Sequence, residues 1–186
     1  MIRLVIWDLG DTINTRPPGG QDLKPLDEYP EIELRPGVIS VLQQVQQLGC
    51  VQAVLSNTSV SDSVVAQRML SRLGIKHFFS QVYATASELD TSKPGKPDAI
   101  VFKRVLDAVG VVASEAVMVG NTWESDILGA NRCGIHALFL QNPDVMMRTD
   151  FTTPVQMPPW IVPVWDVVDI PQALHILNFS RASTER

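Results

Sequence analysis

The chain opens on a nearly continuous apolar run, Ile2 to Trp7 (IRLVIW), which stops at Asp8. A short run without polar alternation suits a strand covered on both faces, as in a parallel sheet flanked by helices. Residues 13–36 then carry Pro17, Pro18, Gly19, Gly20, Pro25, Pro30 and Pro36. That density of helix breakers predicts a long excursion with at most a short hairpin in it, and excursions of this length usually serve function. From Val38 the apolar positions Val41, Leu42, Val45 and Leu48 return at helical spacing, so a helix is expected up to Gly49. VQAVL (51–55) predicts a second strand, followed by Ser56 and Asn57 and a second helix from about Ser61 to Gly74.

The alternation then repeats. A short strand near Val82 to Ala84 precedes a helix that starts at Pro97 and stops at Gly110. AVMV (116–119) reads as a strand, Thr122 as a helix N-cap with Glu124 and Asp126 in the first turn, Gly134 as a stop, and IHALFL (135–140) as the next strand. Residues 141–171 hold six of the thirteen prolines and predict an irregular Pro-rich arm around a short strand near Ile161 to Trp165. A last helix is expected over 171–178, with a frayed tail after Ser180. Strands alternating with helices require right-handed crossovers. The expected class is therefore α/β: a three-layer αβα, doubly wound, mainly parallel sheet in a single domain over residues 1–186.

Composition narrows the function classes. With 186 residues, 45% of them hydrophobic, the chain can bury one sizeable core, and no apolar run reaches the ~18–20 residues of a membrane span. A soluble protein is expected. The net charge of −5 argues against general attraction to nucleic acid or to an anionic membrane. Cys50 and Cys133 are too few for a disulfide scaffold and read as small buried hydrophobes, and MIRLVIWD lacks the pattern of a signal peptide, so a cytoplasmic location is expected. His77, His136 and His175 form no pattern. His136 reads as a core or strand-end histidine, and Trp123 as a site wall or as core packing.

In doubly wound sheets ligands bind beyond the carboxyl ends of the strands. Asp8 follows the first strand, Ser56 and Asn57 the second, and Gly120, Asn121 and Asp126 the strand at 116–119. Three polar clusters should therefore converge on one edge of the sheet.

In order along residues 4–134, these clusters resemble four motifs of the haloacid dehalogenase (HAD) superfamily, whose members are mostly Mg²⁺-dependent phosphatases that form an aspartyl-phosphate. LVIWDLGDT is similar to hhhhDxDxT and implies Asp8 as nucleophile, with Thr12 closing the motif. AVLSNT resembles the strand that ends in Ser or Thr, which implies a phosphate-binding group of Ser56, Asn57 and Thr12. KPDAIVF is similar to KPxxxxF and puts Lys96 and Phe102 in register, with Lys93-Pro94 as a nearby competitor. GNTWESD resembles GDxxxxD and gives Asp126 a metal-ligand role. A carboxylate can attack phosphorus only if the repulsion between two anions is cancelled. The resemblance thus implies Mg²⁺ held by Asp8, the backbone carbonyl of Gly10, Asp126 and Asn121, with Lys96 neutralising charge beside them.

Two positions depart from the pattern. The family's general acid and base stands two residues after the nucleophile, which here is Gly10, while an acid follows at Asp11. Either Asp11 reaches the leaving group through a turn that Gly10 permits, or another residue supplies the proton, or turnover is slow; Asp11 is the favoured candidate. In the fourth motif Asn121 replaces an acid, which predicts a weaker metal site.

No inserted cap domain is visible, which is similar to the capless IIIA-type members of the family. Their open sites accept larger substrates or are closed by a neighbouring subunit, so a homo-oligomer that closes the site is one expectation. The excursion 13–36, with Arg16, Lys24 and Arg35, is either the local source of substrate contacts or a solvated hairpin. The expected function is a Mg²⁺-dependent phosphatase acting on a small-molecule or larger phosphorylated substrate. The alternative is a catalytically impaired HAD-like scaffold that binds Mg²⁺ or a phosphorylated ligand. Carbon–halogen hydrolysis needs no metal and is disfavoured by the retained Asp126, and a nucleic-acid phosphatase is disfavoured by the acidic balance.

Overall fold

Strand β1 (Leu4–Trp7) is buried along its whole length and lies in the middle of a six-stranded sheet. The computed structural model describes residues 1–141 and 159–182; most of the expected Pro-rich arm, residues 142–158, lies outside the described residues. Around β1 the sheet is built from β2 (Val51–Ser56), β3 (Gln81–Ala84), β4 (Ala116–Gly120), β5 (His136–Leu140) and β6 (Ile161–Val164). They stand in the order β3-β2-β1-β4-β5-β6, with every pairing parallel.

Both faces are covered, which is why the strands read as apolar runs rather than alternations. Leu4 and Ile6 point into a core with Val101, Phe102 and Val105 of α3 (Ala99–Val109) and Ala130 of α4 (Gly129–Arg132). Val5 and Trp7 point the other way, into a core shared with α1 (Val38–Gln47), α2 (Ser63–Arg72) and α5 (Ile170–Ala182). The expected doubly wound αβα class is what forms, and no separate cap is present among the described residues.

Three local expectations change. Asp98, not Pro97, opens α3, because its carboxylate accepts a hydrogen bond from the Ile100 N–H at 3.0 Å. Thr122 makes no side-chain cap; a π-helix, Trp123–Leu128, separates it from α4, and its N–H donates instead to Asp126 Oδ2 at 2.9 Å. The last helix starts at Ile170 and runs on to Ala182. Cys50 is buried and Cys133 half-buried. His136 is buried and accepts from the Trp160 N–H at 3.1 Å, and Trp123 packs on Phe139 at 5.3 Å between ring centres, so both belong to the core.

The excursion after β1 is tied down on both sides. Leu9 O accepts from the N–H groups of Thr12, Ile13 and Asn14 in a tight turn, and Thr15 N–H and Arg35 N–H reach Glu33 O and Ile13 O, forming the short hairpin expected of this stretch. Leu26, Tyr29 and Ile32 are buried in the α1–α2 core, and Arg72 of α2 donates to Tyr29 O at 2.9 Å. A buried carboxylate closes the arrangement. Asp22 accepts hydrogen bonds from the N–H groups of Ser59 (2.6 Å), Val60 (3.1 Å) and Ser61 (2.8 Å), in the loop between β2 and α2. Truncating it leaves three amides short of their acceptor. Asp22→Ala should therefore lower the unfolding free energy by roughly 2–4 kcal/mol, read from urea midpoints, with Asp22→Asn losing less because one carbonyl oxygen remains.

Candidate active site

The carboxyl ends of β1, β2 and β4 meet at one ammonium group. Lys96 Nζ lies 2.7 Å from Asp8 Oδ1, 2.6 Å from Asp126 Oδ1 and 2.8 Å from Leu55 O. Ser56 Oγ donates to the same Asp8 Oδ1 at 2.9 Å. Asp8 Oδ1 is thus engaged twice, while Oδ2 has no protein partner among the described residues. All four side chains are buried, and they form the floor of a cavity of about 190 Å³.

Each group is held by its local chain. Asn57, directly after β2, receives the Lys96 N–H on its side-chain oxygen at 2.8 Å and donates its amide to Lys96 O at 2.7 Å. Both polar atoms of the Asn57 side chain thus hold the Lys96 backbone, and Asn57 also lines the cavity. Asp126 folds back against the end of β4, where a Cβ on Gly120 would stand 2.6 Å from its carboxyl carbon. Only a residue without a side chain leaves that space. Burial pushes the Asp126 pKa up to about 6, against the pull of Lys96, and the Asp8 charge adds to the rise. Burial works against the Lys96 ammonium as well, but the two carboxylates outweigh it and raise its pKa.

The remaining predicted residues divide. Gly10 and Asn121 line the cavity; Thr12 is fully buried below it and donates to Asn121 Oδ1 at 3.3 Å. Lys93 is half-exposed and pairs with Asp90 at 3.5 Å, which leaves Lys96 as the lysine of the site. Asp11 does not line the cavity: its backbone is left-handed, with φ 58°, and its carboxylate pairs with Arg16 Nε at 2.6 Å. The positive φ falls on Asp11 rather than on Gly10. Of the three basic residues of the excursion, Arg16 lines the cavity, Lys24 sits over the Tyr29 ring and Arg35 donates to Asp11 O. Sequence reasoning missed Asp22, Glu88 and Ser125, which also line the cavity. Ser125 lies at an unspecified position of the fourth motif, while Asp22 and Glu88 lie in no motif and only tertiary pairing brings them in.

The donor set tests whether a metal would fit. Asp8, Asp126 and Asn121 offer carboxylate and amide oxygens beside the Gly10 backbone, and hard oxygen donors of this kind suit Mg²⁺.

The haloacid dehalogenase-like hydrolase profile matches residues 9–134. The chain belongs to this family. It is 33% identical over 107 residues to the glyceraldehyde 3-phosphate phosphatase of Methanothermobacter thermautotrophicus, a stretch covering 58% of this chain and 44% of that protein. It is also 33% identical over 112 residues to the phosphoserine phosphatase of Thermus thermophilus, covering 60% of this chain and 40% of that protein. The chain thus matches less than half the length of these curated relatives. Among solved structures it is similar to an uncharacterized protein from Listeria monocytogenes serotype 4b, with a TM-score of 0.92 and 49% identity over 95% of this chain and 99% of that one.

Removing the central cation should expose what it balances. Lys96→Met leaves two buried carboxylates facing each other, so it should cost about 3–5 kcal/mol at pH 7. Without the ammonium the main offset to the burial that raises the Asp126 pKa is gone, so that carboxylate binds a proton more readily in the folded state than in the unfolded one, and the deficit should shrink as the pH falls from 7 to 5. Urea unfolding of both proteins at the two pH values measures it.

Proposed function

We propose that the protein is a Mg²⁺-dependent phosphatase that transfers the phosphoryl group of a phosphorylated substrate to Asp8 and then to water. The observation that carries this reading is the state of Asp8: a carboxylate at the end of the central strand, with Oδ1 fixed by Ser56 and Lys96 and Oδ2 left for attack. Phosphatases among the relatives support the same class of reaction.

The residues divide the work. Asp8 Oδ2 supplies the electron pair that attacks phosphorus, and fixing Oδ1 restricts the carboxylate to one orientation, which lowers the entropic cost of reaching an in-line geometry. Lys96 lies where negative charge accumulates as two anions approach, and its donors are in place before reaction. Ser56 Oγ and the backbone amides after β2 are the donors available to the phosphoryl oxygens. Asp8, Asp126, Asn121 and the Gly10 carbonyl would hold Mg²⁺, which would supply further neutralisation of the phosphate charge. Asp11 takes no part in this scheme, since its carboxylate is paired to Arg16 outside the cavity lining.

With p-nitrophenyl phosphate and Mg²⁺, Asp8→Asn should reduce turnover by more than about 10³-fold, and acid-quenched wild-type protein should carry a phosphoryl group labile to hydroxylamine that the variant lacks. Undiminished turnover would remove Asp8 as nucleophile. Phosphate binding without turnover would instead favour a binding scaffold. A second measurement addresses the metal: Asn121→Asp adds a fixed negative charge and should lower the Mg²⁺ concentration for half-maximal rate several-fold.

A further inference from the structure

Position 10 is where the family resemblance places a general acid, and in this chain another side chain fills that space. A Cβ built on Gly10 would stand 3.2 Å from Arg16 Cγ, 3.6 Å from its Nε and 3.9 Å from its Cδ. The stem of Arg16 therefore occupies the direction in which a side chain at position 10 would leave the backbone. Gly10 and Arg16 line the same cavity as Asp8. The guanidinium is anchored by its Nε on Asp11 Oδ2 at 2.6 Å, and Asp11 is itself held by its N–H on Asn14 O and by Arg35 on its carbonyl. The Nη atoms of Arg16 have no protein partner among the described residues. Besides Lys96, which sits between two carboxylates, Arg16 is the cation among the described lining residues.

A guanidinium cannot give up a proton near neutral pH, but it stabilises an oxyanion strongly. The lining carboxylates other than Asp8 and Asp126 are held by the loop after β2, Asp22 by the amides of Ser59, Val60 and Ser61 and Glu88 by Ser59 Oγ at 2.9 Å. A leaving oxygen that must be protonated, such as an alkoxide, is therefore poorly served here, and one that departs as a stable anion is well served. Resting on the reading of Asp8 as nucleophile, we propose that the substrates are acyl phosphates, whose leaving carboxylate is received by Arg16, rather than alkyl phosphate esters. Asp8 Oδ2 forms a bond to phosphorus, and the bond from phosphorus to the acyl oxygen breaks. The electron pair stays on the acyl oxygen, so a carboxylate leaves with no proton transferred. Water then attacks the phosphorus of phospho-Asp8; the Asp8 carboxylate departs with its electron pair, and both protons of the water remain on the released dihydrogen phosphate.

The test compares acetyl phosphate with glycerol 3-phosphate as substrates of the Mg²⁺-loaded wild-type protein, after subtraction of spontaneous hydrolysis. Without general acid help, kcat/KM for acetyl phosphate should exceed that for the alkyl ester by at least ~10³-fold. Rates within tenfold of each other overturn the proposal while leaving Asp8 as nucleophile intact. If neither compound is hydrolysed and no phosphoryl group forms on Asp8, the phosphatase reading fails and this proposal falls with it. Arg16→Gln should lower kcat/KM on acetyl phosphate by ~10²-fold or more, while hydrolysis of the phosphoenzyme, followed in single turnover, keeps its rate. An unchanged acetyl phosphate rate in the variant overturns the role of Arg16. Should the variant fail to fold, the wild-type comparison decides alone.

Discussion

The arrangement depends on one buried cation. Three neighbouring strands end at the same edge of the sheet, and two of them bring carboxylates whose mutual repulsion, away from water, would oppose the close approach that the sheet imposes. Lys96 resolves the conflict by contacting the ends of all three: Asp8 after β1, Leu55 O in β2 and Asp126 beyond β4. It comes from none of these strands. The loop before α3 delivers it, and the pair of hydrogen bonds between the Asn57 amide and the Lys96 backbone fixes where that loop runs. Secondary structure, loop path and electrostatics thus have to agree at a single nitrogen atom.

That requirement explains several residues whose chemistry is silent. Gly120 leaves room for the carboxyl group of Asp126, and Gly95 leaves room first for the Ser87 hydroxyl and then for Asn57, whose side-chain oxygen would lie 3.0 Å from a Cβ there. The π-helix at Trp123–Leu128 widens the turn after β4, so that Asp126 reaches back to the Thr122 N–H rather than pointing away from the strand end. Helices with this wider turn often mark places where function overrides the regular ladder. Here the irregularity sets the direction of one carboxylate.

The sheet and its helices were legible because their signals are local. Apolar runs bounded by Gly74 and Gly110 mark elements directly, and the polar residues closing β1, β2 and β4 follow from where those runs stop. Asp8, Ser56 and Asp126 were legible for the same reason, whereas Lys96 was legible only through the resemblance of KPDAIVF to a family motif. What could not be read was the pairing of side chains across the fold. Whether Asn57 faces a ligand or the backbone of Lys96 is decided 39 residues away. The fate of Asp11 turns on Arg16, five positions on, through a left-handed residue that no propensity marks at an aspartate. Asp22 carries no motif at all, because its partners are main-chain amides and have no sequence signature.

The way Asp22 is bonded has a bearing on motion. Its three amide partners are consecutive and belong to one loop, so the segment that walls the cavity cannot drift outward by degrees: the contacts stretch together and break together. With each bond contributing on the order of 1 kcal/mol, lifting the segment off Asp22 costs on the order of 3 kcal/mol. One wall of the cavity is thus fastened by a lining carboxylate that makes no contact with the centre Lys96 holds together.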